Sequence, residues 1–246
     1  MNEKTPDGLI QLDFGDPANE ARLQHLFRYA QVGRCVNGVT HDINNHLGAA
    51  MAYAELSLMD SEVAEETQEQ IEKIVTAIDK CGKLVSTLTG IARPLVDNAN
   101  MIDVNGVIRG VLMLRDYAFR VAKTEVTADL AENLPSPVAD SPKLQLALLY
   151  IIFNVEEHLA EKGTPGKIAI RSFRDGDNIL ITVKDDGEPI PEAIQRSMFE
   201  PYVTSKAEES AGMGLSLARK MVTGQQGELR YDAQNGFVLQ LPVAAG

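Results

Sequence analysis

Two long apolar stripes with helical spacing lie in the first part of this chain. The first stripe steps by three or four residues and comprises Val36, Val39, Ile43, Leu47, Ala50, Ala54 and Leu58. The second alternates the same spacings over three heptads and comprises Ile71, Ile74, Ile78, Cys81, Val85, Leu88 and Ala92. Pro94 ends it, because proline cannot continue the helical hydrogen bonding. The pattern predicts a hairpin of two amphipathic helices.

A lone hairpin of this kind cannot cover both stripes, whereas two hairpins packed as a four-helix bundle can. A homodimer is therefore the expected state. The alternative is that the stripes pack against the remainder of the same chain.

After Pro94 the sequence changes to a mixture of helical and strand patterns. Helices are predicted at residues 104–121, 143–162, 191–198 and 213–223. Strands are predicted at 124–130, 168–173, 179–184, 228–232 and 237–242. Helices interleaved with antiparallel strands predict an α+β fold, in which helices cover one face of a sheet.

Composition narrows the classes of partner. The formal net charge of −12 argues against nucleic-acid binding, which needs a basic surface. No apolar run approaches the roughly 20 residues that cross a bilayer, and Met1–Asp16 has no signal-peptide pattern. We expect a cytoplasmic protein without membrane insertion.

The two cysteines, Cys35 and Cys81, occupy apolar helical positions and are expected to be buried free thiols.

His41 is offset from the first stripe by about half a turn, so its ring is expected to face solvent. An exposed imidazole can attack phosphorus if a neighbour holds one ring nitrogen protonated, and Asp42 is a plausible carboxylate for that task. Exposed helical histidines are usually inert, so the pair alone is weak evidence. The string Gly38-Val39-Thr40-His41-Asp42-Ile43-Asn44-Asn45 is stronger, because it resembles the phosphoacceptor box of nitrogen-regulatory-type histidine kinases.

That resemblance implies that His41 accepts the phosphoryl group and that Asp42 assists it. It places Asn45, one helical turn further on, where the family carries a polar residue that can position water for dephosphorylating the partner. The implied partner is the receiver domain of a response regulator.

Asn154 is a single amide within the apolar helix predicted at 143–162, where burial without a partner is costly. It can be a core amide bonded to backbone, or an oxygen ligand of Mg²⁺. The segment resembles the N box of the histidine kinase ATP-binding domain, which implies the metal role for Asn154. It implies a phosphate contact for His158, and Tyr150 stands where that box has an earlier Asn.

Val183-Lys184-Asp185-Asp186-Gly187 ends a predicted strand, as ordinary turns also do. It resembles the G1 box, which implies that Asp185 accepts the adenine amino group and that Gly187 lets the backbone approach the base. Residues 198–206 resemble the F box, which implies that Lys206 faces the phosphates. Residues 211–218 resemble the G2 box, in which the glycines Gly212 and Gly214 leave backbone N–H groups for phosphate oxygens.

These ordered boxes span residues 30–242 and predict a histidine kinase core that uses ATP and Mg²⁺. Residues 1–17 form a lead-in, 18–95 the dimerisation and phosphotransfer domain, 96–99 a linker and 100–246 an α/β-sandwich ATP-binding domain. Three departures from the family pattern, Tyr150, Pro189 and Ser210, motivate two alternatives. One is a phosphotransfer or phosphatase scaffold with a degenerate nucleotide domain, and the other is a dimeric adaptor without enzymatic activity.

Overall fold

The computed structural model describes residues 10–11, 40–41, 43–59, 64–92, 99–163, 165–204 and 212–243. These residues fall into two compact units, one within Tyr29–Pro94 and the other containing Leu95 onward together with the short strand β1, Ile10–Gln11. None of the helices in the described ranges is both long and apolar enough for a membrane crossing.

The first unit contains two helices. Helix α1 is described at residues 40–41 and 43–58, and helix α2 runs over Glu65–Ala92. The second stripe divides into two rows at seven-residue intervals. The half-buried row comprises Ile71, Ile78, Val85 and Ala92, and the exposed row comprises Ile74, Cys81 and Leu88. One chain therefore covers only half of the stripe that the sequence predicts to be apolar contact surface.

Cys81 corrects one expectation. Its thiol is free, as predicted, but it is exposed rather than buried, because it belongs to the row that the chain leaves uncovered. Cys35 lies outside the described residues.

The second unit begins with β2 (Asn100–Met101), α3 (Val104–Ala122), β3 (Glu125–Leu130), β4 (Val138–Ala139) and α4 (Ser141–Lys162). It continues with β5 (Lys167–Asp175), β6 (Asn178–Asp185), α5 (Glu192–Gln195) and β7 (Val203–Thr204). Helix α6 (Gly214–Thr223) and the hairpin of β8 (Glu228–Asp232) and β9 (Gly236–Pro242) follow.

Five strands form the main sheet in the order β3-β5-β6-β9-β8. All neighbouring pairs are antiparallel except β3 and β5, which are parallel. The predicted α+β fold is confirmed. This one pair departs from the predicted antiparallel arrangement, because α4 lies between β3 and β5 in sequence and returns the chain to the same end of the sheet. Two short ladders, β1 with β7 and β2 with β4, lie outside the main sheet.

Helix α4 is defined by its ends and by its buried face. The Asp140 side chain accepts a hydrogen bond from the Lys143 backbone N–H at 3.0 Å, which caps the first turn. Gly163, in the left-handed region at φ 67°, ends the helix. The face that packs into the core contributes side chains that are almost fully buried, namely Leu144, Ala147, Leu148, Ile151, Ile152 and Val155.

Helix α3 is tied to α4 by one ion pair. The Arg115 guanidinium donates two parallel hydrogen bonds to the Glu156 carboxylate, with N–O distances of 3.0 and 3.2 Å. Its carbon Cζ also lies 4.7 Å from the centre of the Phe153 ring. Burial raises the pKa of Glu156, and the hydrogen bond and charge of Arg115 oppose that change. The pair fixes α3 on the helix that carries the candidate site residues.

Candidate functional site

His41 and Asn45 form one candidate site, in the first unit. Both side chains are exposed, as the offset of His41 from the apolar stripe predicts. Asn45 Nδ2 lies 3.3 Å from His41 Nδ1, one helical turn apart. An amide can offer either its N–H group or its carbonyl oxygen to that nitrogen, so Asn45 is able to hold either neutral tautomer of the ring. Asp42 lies outside the described residues.

The second candidate site lies along one face of α4. Tyr150, Asn154 and His158 follow each other at four-residue intervals, so they share this face and span about 12 Å of helix. At one end, the Tyr150 ring lies 3.7 Å from the position that a Cβ on Gly214 would occupy, at the start of α6. At the other end, His158 contacts Asp185 at the end of β6. Asn154 lies midway between the two contacts.

Asp185 is held by donors on one of its two carboxylate oxygens. His158 Nδ1 lies 3.1 Å from Oδ1, and the Gly187 backbone N–H donates to the same oxygen at 2.8 Å. Within the described residues, Oδ2 makes no hydrogen bond. The carboxylate therefore retains one oxygen that can accept a hydrogen bond from a ligand.

The adjacent carboxylate, that of Asp186, has a structural role. Its Oδ1 accepts a hydrogen bond from the Lys167 backbone N–H at 2.9 Å, and its own N–H donates to the Lys167 carbonyl at 3.1 Å. Asp186 therefore continues the ladder of β5 and β6 beyond Asp185, which pairs with Ile168. Within the described residues, Asp185 reaches the face of α4 through its contact with His158.

The loop that follows Gly187 is anchored at Ile190. The Ile190 N–H donates to the Tyr231 hydroxyl at 3.2 Å, and its carbonyl accepts from the Gln195 side chain at 2.6 Å. Both backbone groups of Ile190 are thereby fixed, and this anchors the loop that contains Pro189.

Asn154 is half buried, and within the described part of the chain its amide makes no hydrogen bond. A half-buried amide without a partner is costly, so its oxygen is suited to a ligand. The described residues contain no group of three or more His, Cys, Asp or Glu side chains that could hold a metal ion. A single amide oxygen such as that of Asn154 can serve Mg²⁺, because Mg²⁺ binds through few protein oxygens and completes its shell with phosphates and water.

The start of α6 is built for a close approach of backbone. Gly212 has φ 64°, and a Cβ there would lie 2.8 Å from the carbonyl carbon of Tyr202. The Gly212 carbonyl accepts a hydrogen bond from the Tyr202 N–H at 2.9 Å. The cap residue of α6, Met213, makes no side-chain hydrogen bond to the backbone N–H groups of the first turn. Those N–H groups can therefore bind an anion. Lys206 lies outside the described residues.

Comparisons with known proteins agree with this arrangement. Residues 31–94 match the family "His Kinase A (phospho-acceptor) domain". Residues 139–245 match the family "Histidine kinase-, DNA gyrase B-, and HSP90-like ATPase". The chain has the two-domain core of a sensor histidine kinase. The ATPase family implies that this core binds ATP.

Relatives of this kinase core carry the names of histidine kinases. It is 27% identical to the signal transduction histidine-protein kinase AtoS of Escherichia coli K12, over 91% of this chain and 37% of AtoS. It is 27% identical to the sensory histidine kinase/phosphatase NtrB of Escherichia coli O157:H7, over 98% of this chain and 72% of NtrB. The chain spans only 36% to 46% of the first relatives it matches.

Solved structures resemble the kinase core in fold. The catalytic domain of histidine kinase ThkA aligns with a TM-score of 0.52 and 25% identity, over 59% of this chain and 98% of that domain. Full-length ShkA in complex with AMPPNP aligns with a TM-score of 0.52 and 19% identity, over 86% of this chain and 46% of ShkA. The latter likeness concerns the fold alone.

Sequence reasoning missed two contacts, one at the candidate site on α4 and one within the F-box segment. The Tyr150 ring packs next to Gly214 at the start of α6. Burial raises the pKa of the Tyr150 phenol. Phe199 of the F box is a packing residue, because its ring meets the Phe237 ring edge-on with centroids 6.4 Å apart and the Arg219 guanidinium carbon lies 5.4 Å from its centre. The only signal in the sequence for either contact was the motif resemblance, since residues far apart in sequence meet here.

Proposed function

We propose that this chain is a dimeric histidine kinase core that transfers the γ-phosphoryl group of Mg-ATP to His41 and then to a receiver-domain aspartate of a response regulator. The observation that carries the proposal is the face of α4 that joins three parts of a nucleotide site. His158 and Asp185 lie at one end, Gly214 lies at the other, and the unpartnered Asn154 amide lies between them.

The nucleotide would lie along this face with its base at Asp185 and its phosphates at α6. Oδ2 of Asp185 would accept a hydrogen bond from the adenine amino group, and Gly187 leaves room for the base. The N–H groups of the first turn of α6, at Gly214 and the residues that follow it, would bind phosphate oxygens, and the motif assigns the same role to Gly212. The Asn154 oxygen would be a protein ligand of the Mg²⁺ ion, whose charge would neutralise the phosphates. Lys206 is assigned a phosphate contact by the motif alone.

Phosphoryl transfer to His41 needs one ring nitrogen with a free lone pair and the other protonated. The nucleophilic nitrogen forms the N–P bond while the bond from the γ-phosphorus to the bridging oxygen breaks and ADP leaves with that electron pair. The proton on the other nitrogen stays on the ring, where Asp42 would stabilise the developing positive charge. Positioning and charge neutralisation supply most of the rate acceleration in such transfers.

Incubation with radiolabelled ATP and Mg²⁺ tests the kinase proposal. We expect label on the protein that is labile in acid and stable in base, as a phosphohistidine is. Stable nucleotide binding without labelling would favour a scaffold or phosphatase. Absence of any nucleotide binding in calorimetry would favour the degenerate scaffold or the adaptor, the alternatives that Tyr150, Pro189 and Ser210 motivate.

Dimerisation through α2 is a prediction with a direct test. The exposed row of Ile74, Cys81 and Leu88 continues the apolar stripe, so a second copy is expected to cover it. Leu88→Glu places a charge in that interface and should weaken the dimer by at least roughly a hundredfold, since each copy loses the burial of one leucine. Ser86→Glu, at an exposed position off the row, is the matched control and should leave the dimer intact.

The alkylation rate of the Cys81 thiol gives a second measurement on the same two variants. In a Cys35→Ser background, alkylation of Cys81 should be slow in the parent and in Ser86→Glu and at least about tenfold faster in Leu88→Glu. Mass in solution by light scattering gives the oligomeric state independently. A parent chain that is monomeric, with a fast-reacting thiol, would exclude this interface.

Asn45→Ala is predicted to slow dephosphorylation of the response regulator while leaving phosphorylation of His41 largely intact. The Asn45 amide has a donor and an acceptor and lies one turn from His41, so it can orient a water toward a docked phosphoaspartate. We expect the rate of regulator dephosphorylation to fall at least about tenfold. Phosphorylation of His41 should stay within about threefold of the parent, because an exposed hydrogen bond contributes little.

Asn44→Ala is the matched control for this measurement, since Asn44 is also exposed on α1 but lies about 100° around the helix from Asn45. It should leave both rates unchanged. Equal dephosphorylation rates for Asn45→Ala and the parent would mean that Asn45 is an exposed amide without this role.

A further inference from the structure

The contact between His158 and Asp185 has a defined direction. His158 Nδ1 lies 3.1 Å from Asp185 Oδ1, and both side chains are largely buried, with 24% and 14% of their surface exposed. An ionised carboxylate has acceptors only, so the imidazole must donate from Nδ1. This contact places the ring at the carboxylate that is expected to meet the base, whereas the motif resemblance implies a phosphate contact for His158.

Gly187 packs closely against Asp185 Oδ1 and the His158 ring. Its N–H donates to Asp185 Oδ1, and a Cβ added at Gly187 would lie 2.6 Å from that oxygen and 2.6 Å from His158 Cε1. Any side chain at this position would therefore separate the ring from the carboxylate. The close approach of the three residues leaves the carboxylate in one orientation, with both donors on Oδ1.

Two donors on Oδ1 leave Oδ2 as the acceptor without a hydrogen bond among the described residues. We propose that His158 is a positioning residue that fixes the Asp185 carboxylate so that Oδ2 faces the 6-amino group of the purine. His158 thereby makes the site selective for adenine over purines with a 6-carbonyl oxygen, which would set acceptor against acceptor. This inference rests on the proposed nucleotide site and adds a residue that determines its specificity.

Two substitutions at His158 separate positioning from other roles. In His158→Asn, the amide nitrogen Nδ2 takes the place of Nδ1 and can still donate to Asp185. In His158→Leu, a methyl group occupies that place and the donor is lost. Affinities for Mg-AMPPNP, Mg-ITP and tripolyphosphate are measured by calorimetry on the full chain, and thermal unfolding checks that each variant is folded.

We expect the parent to bind the adenine nucleotide at least about tenfold more tightly than ITP. His158→Leu should lose roughly tenfold in affinity for the adenine nucleotide with little change for ITP, so that discrimination between the bases collapses. His158→Asn should stay within about threefold of the parent. Base discrimination is informative because a merely structural role would change both affinities together.

Other results overturn the inference. Equal losses for the two nucleotides and for tripolyphosphate in both variants would assign His158 to the phosphates. Unchanged discrimination in His158→Leu, with the parent binding the adenine nucleotide normally, would overturn the positioning role while the proposed function stands. A parent that binds none of the three probes would overturn the proposed function, and the positioning role with it.

Discussion

His41→Gln is expected to abolish phosphorylation of the chain by Mg-ATP, with a loss of at least about a hundredfold in labelling rate. Glutamine has no nitrogen lone pair that can attack phosphorus, because its amide nitrogen is conjugated with the carbonyl. The fold and the dimer should be unaffected, since His41 is exposed and its ring packs into no core. Radiolabelling followed by acid and base treatment, with circular dichroism and light scattering on the same sample, measures both expectations.

His46→Gln is the matched control, because His46 is a second exposed histidine on α1 and receives the same substitution. It should retain the label at the parent level. Acid-labile label that persists on His41→Gln would refute the assignment of His41 as acceptor, and a loss in both variants would indicate damage to the helix rather than removal of the nucleophile.

Long elements with a regular pattern could be predicted from the sequence, and short pairings could not. The apolar patterns of α2 and α4, the alternation in β5 and the continuous apolar run of β6 extend over many residues, so the existence and type of these elements were predictable. The two-residue ladders β1–β7 and β2–β4 are too short to show a period. The parallel pairing of β3 with β5 was signalled by the strand–helix–strand order around α4, a signal that the expectation of antiparallel strands overlooked.

Within a single chain Cys81 is exposed, against the expectation of burial, for a specific physical reason. Helical periodicity reports which face is apolar, but not which chain covers it. The chain covers one seven-residue row of α2, which includes Ile78, and leaves the row of Cys81 exposed. Sequence alone could not separate these rows, because both consist of similar side chains at the same spacing.

The motifs predict candidate site residues but not the contacts between them. The motifs gave Asn154, His158 and Asp185 separately, and the resemblance attached a role to each. That His158 meets Asp185 depends on how α4 crosses the end of β6, which no local pattern specifies. The opposite orientation of Asp185 and Asp186 likewise follows from the hydrogen bonds of Asp186 to Lys167.

Asp185→Ala is the second prediction with a large expected effect, a loss of ATP affinity of roughly a hundredfold or more. The change removes the free acceptor Oδ2 and, with it, the partner of His158 and of the Gly187 N–H. Thermal stability should fall modestly, because the His158 ring and the Gly187 N–H lose their acceptor. The domain should stay folded, because Asp185 terminates its strand and supports no apolar core. Calorimetric titration with Mg-AMPPNP, together with a thermal melt, measures the two quantities.

Asp186→Ala is the matched control, an adjacent carboxylate that accepts a hydrogen bond from the Lys167 backbone N–H. It should bind nucleotide within about threefold of the parent and lose some thermal stability, since a backbone donor on β5 loses its partner.

Asp185→Asn tests the base contact further. The two donors on Oδ1 would hold its amide oxygen in place and turn the NH₂ group toward the base, where it opposes the adenine amino group but can donate to the 6-carbonyl of ITP. We therefore expect Asp185→Asn to reverse the preference of the site toward ITP. An unchanged adenine-nucleotide affinity in Asp185→Ala would refute the base contact, and the domain would then be degenerate as a nucleotide site.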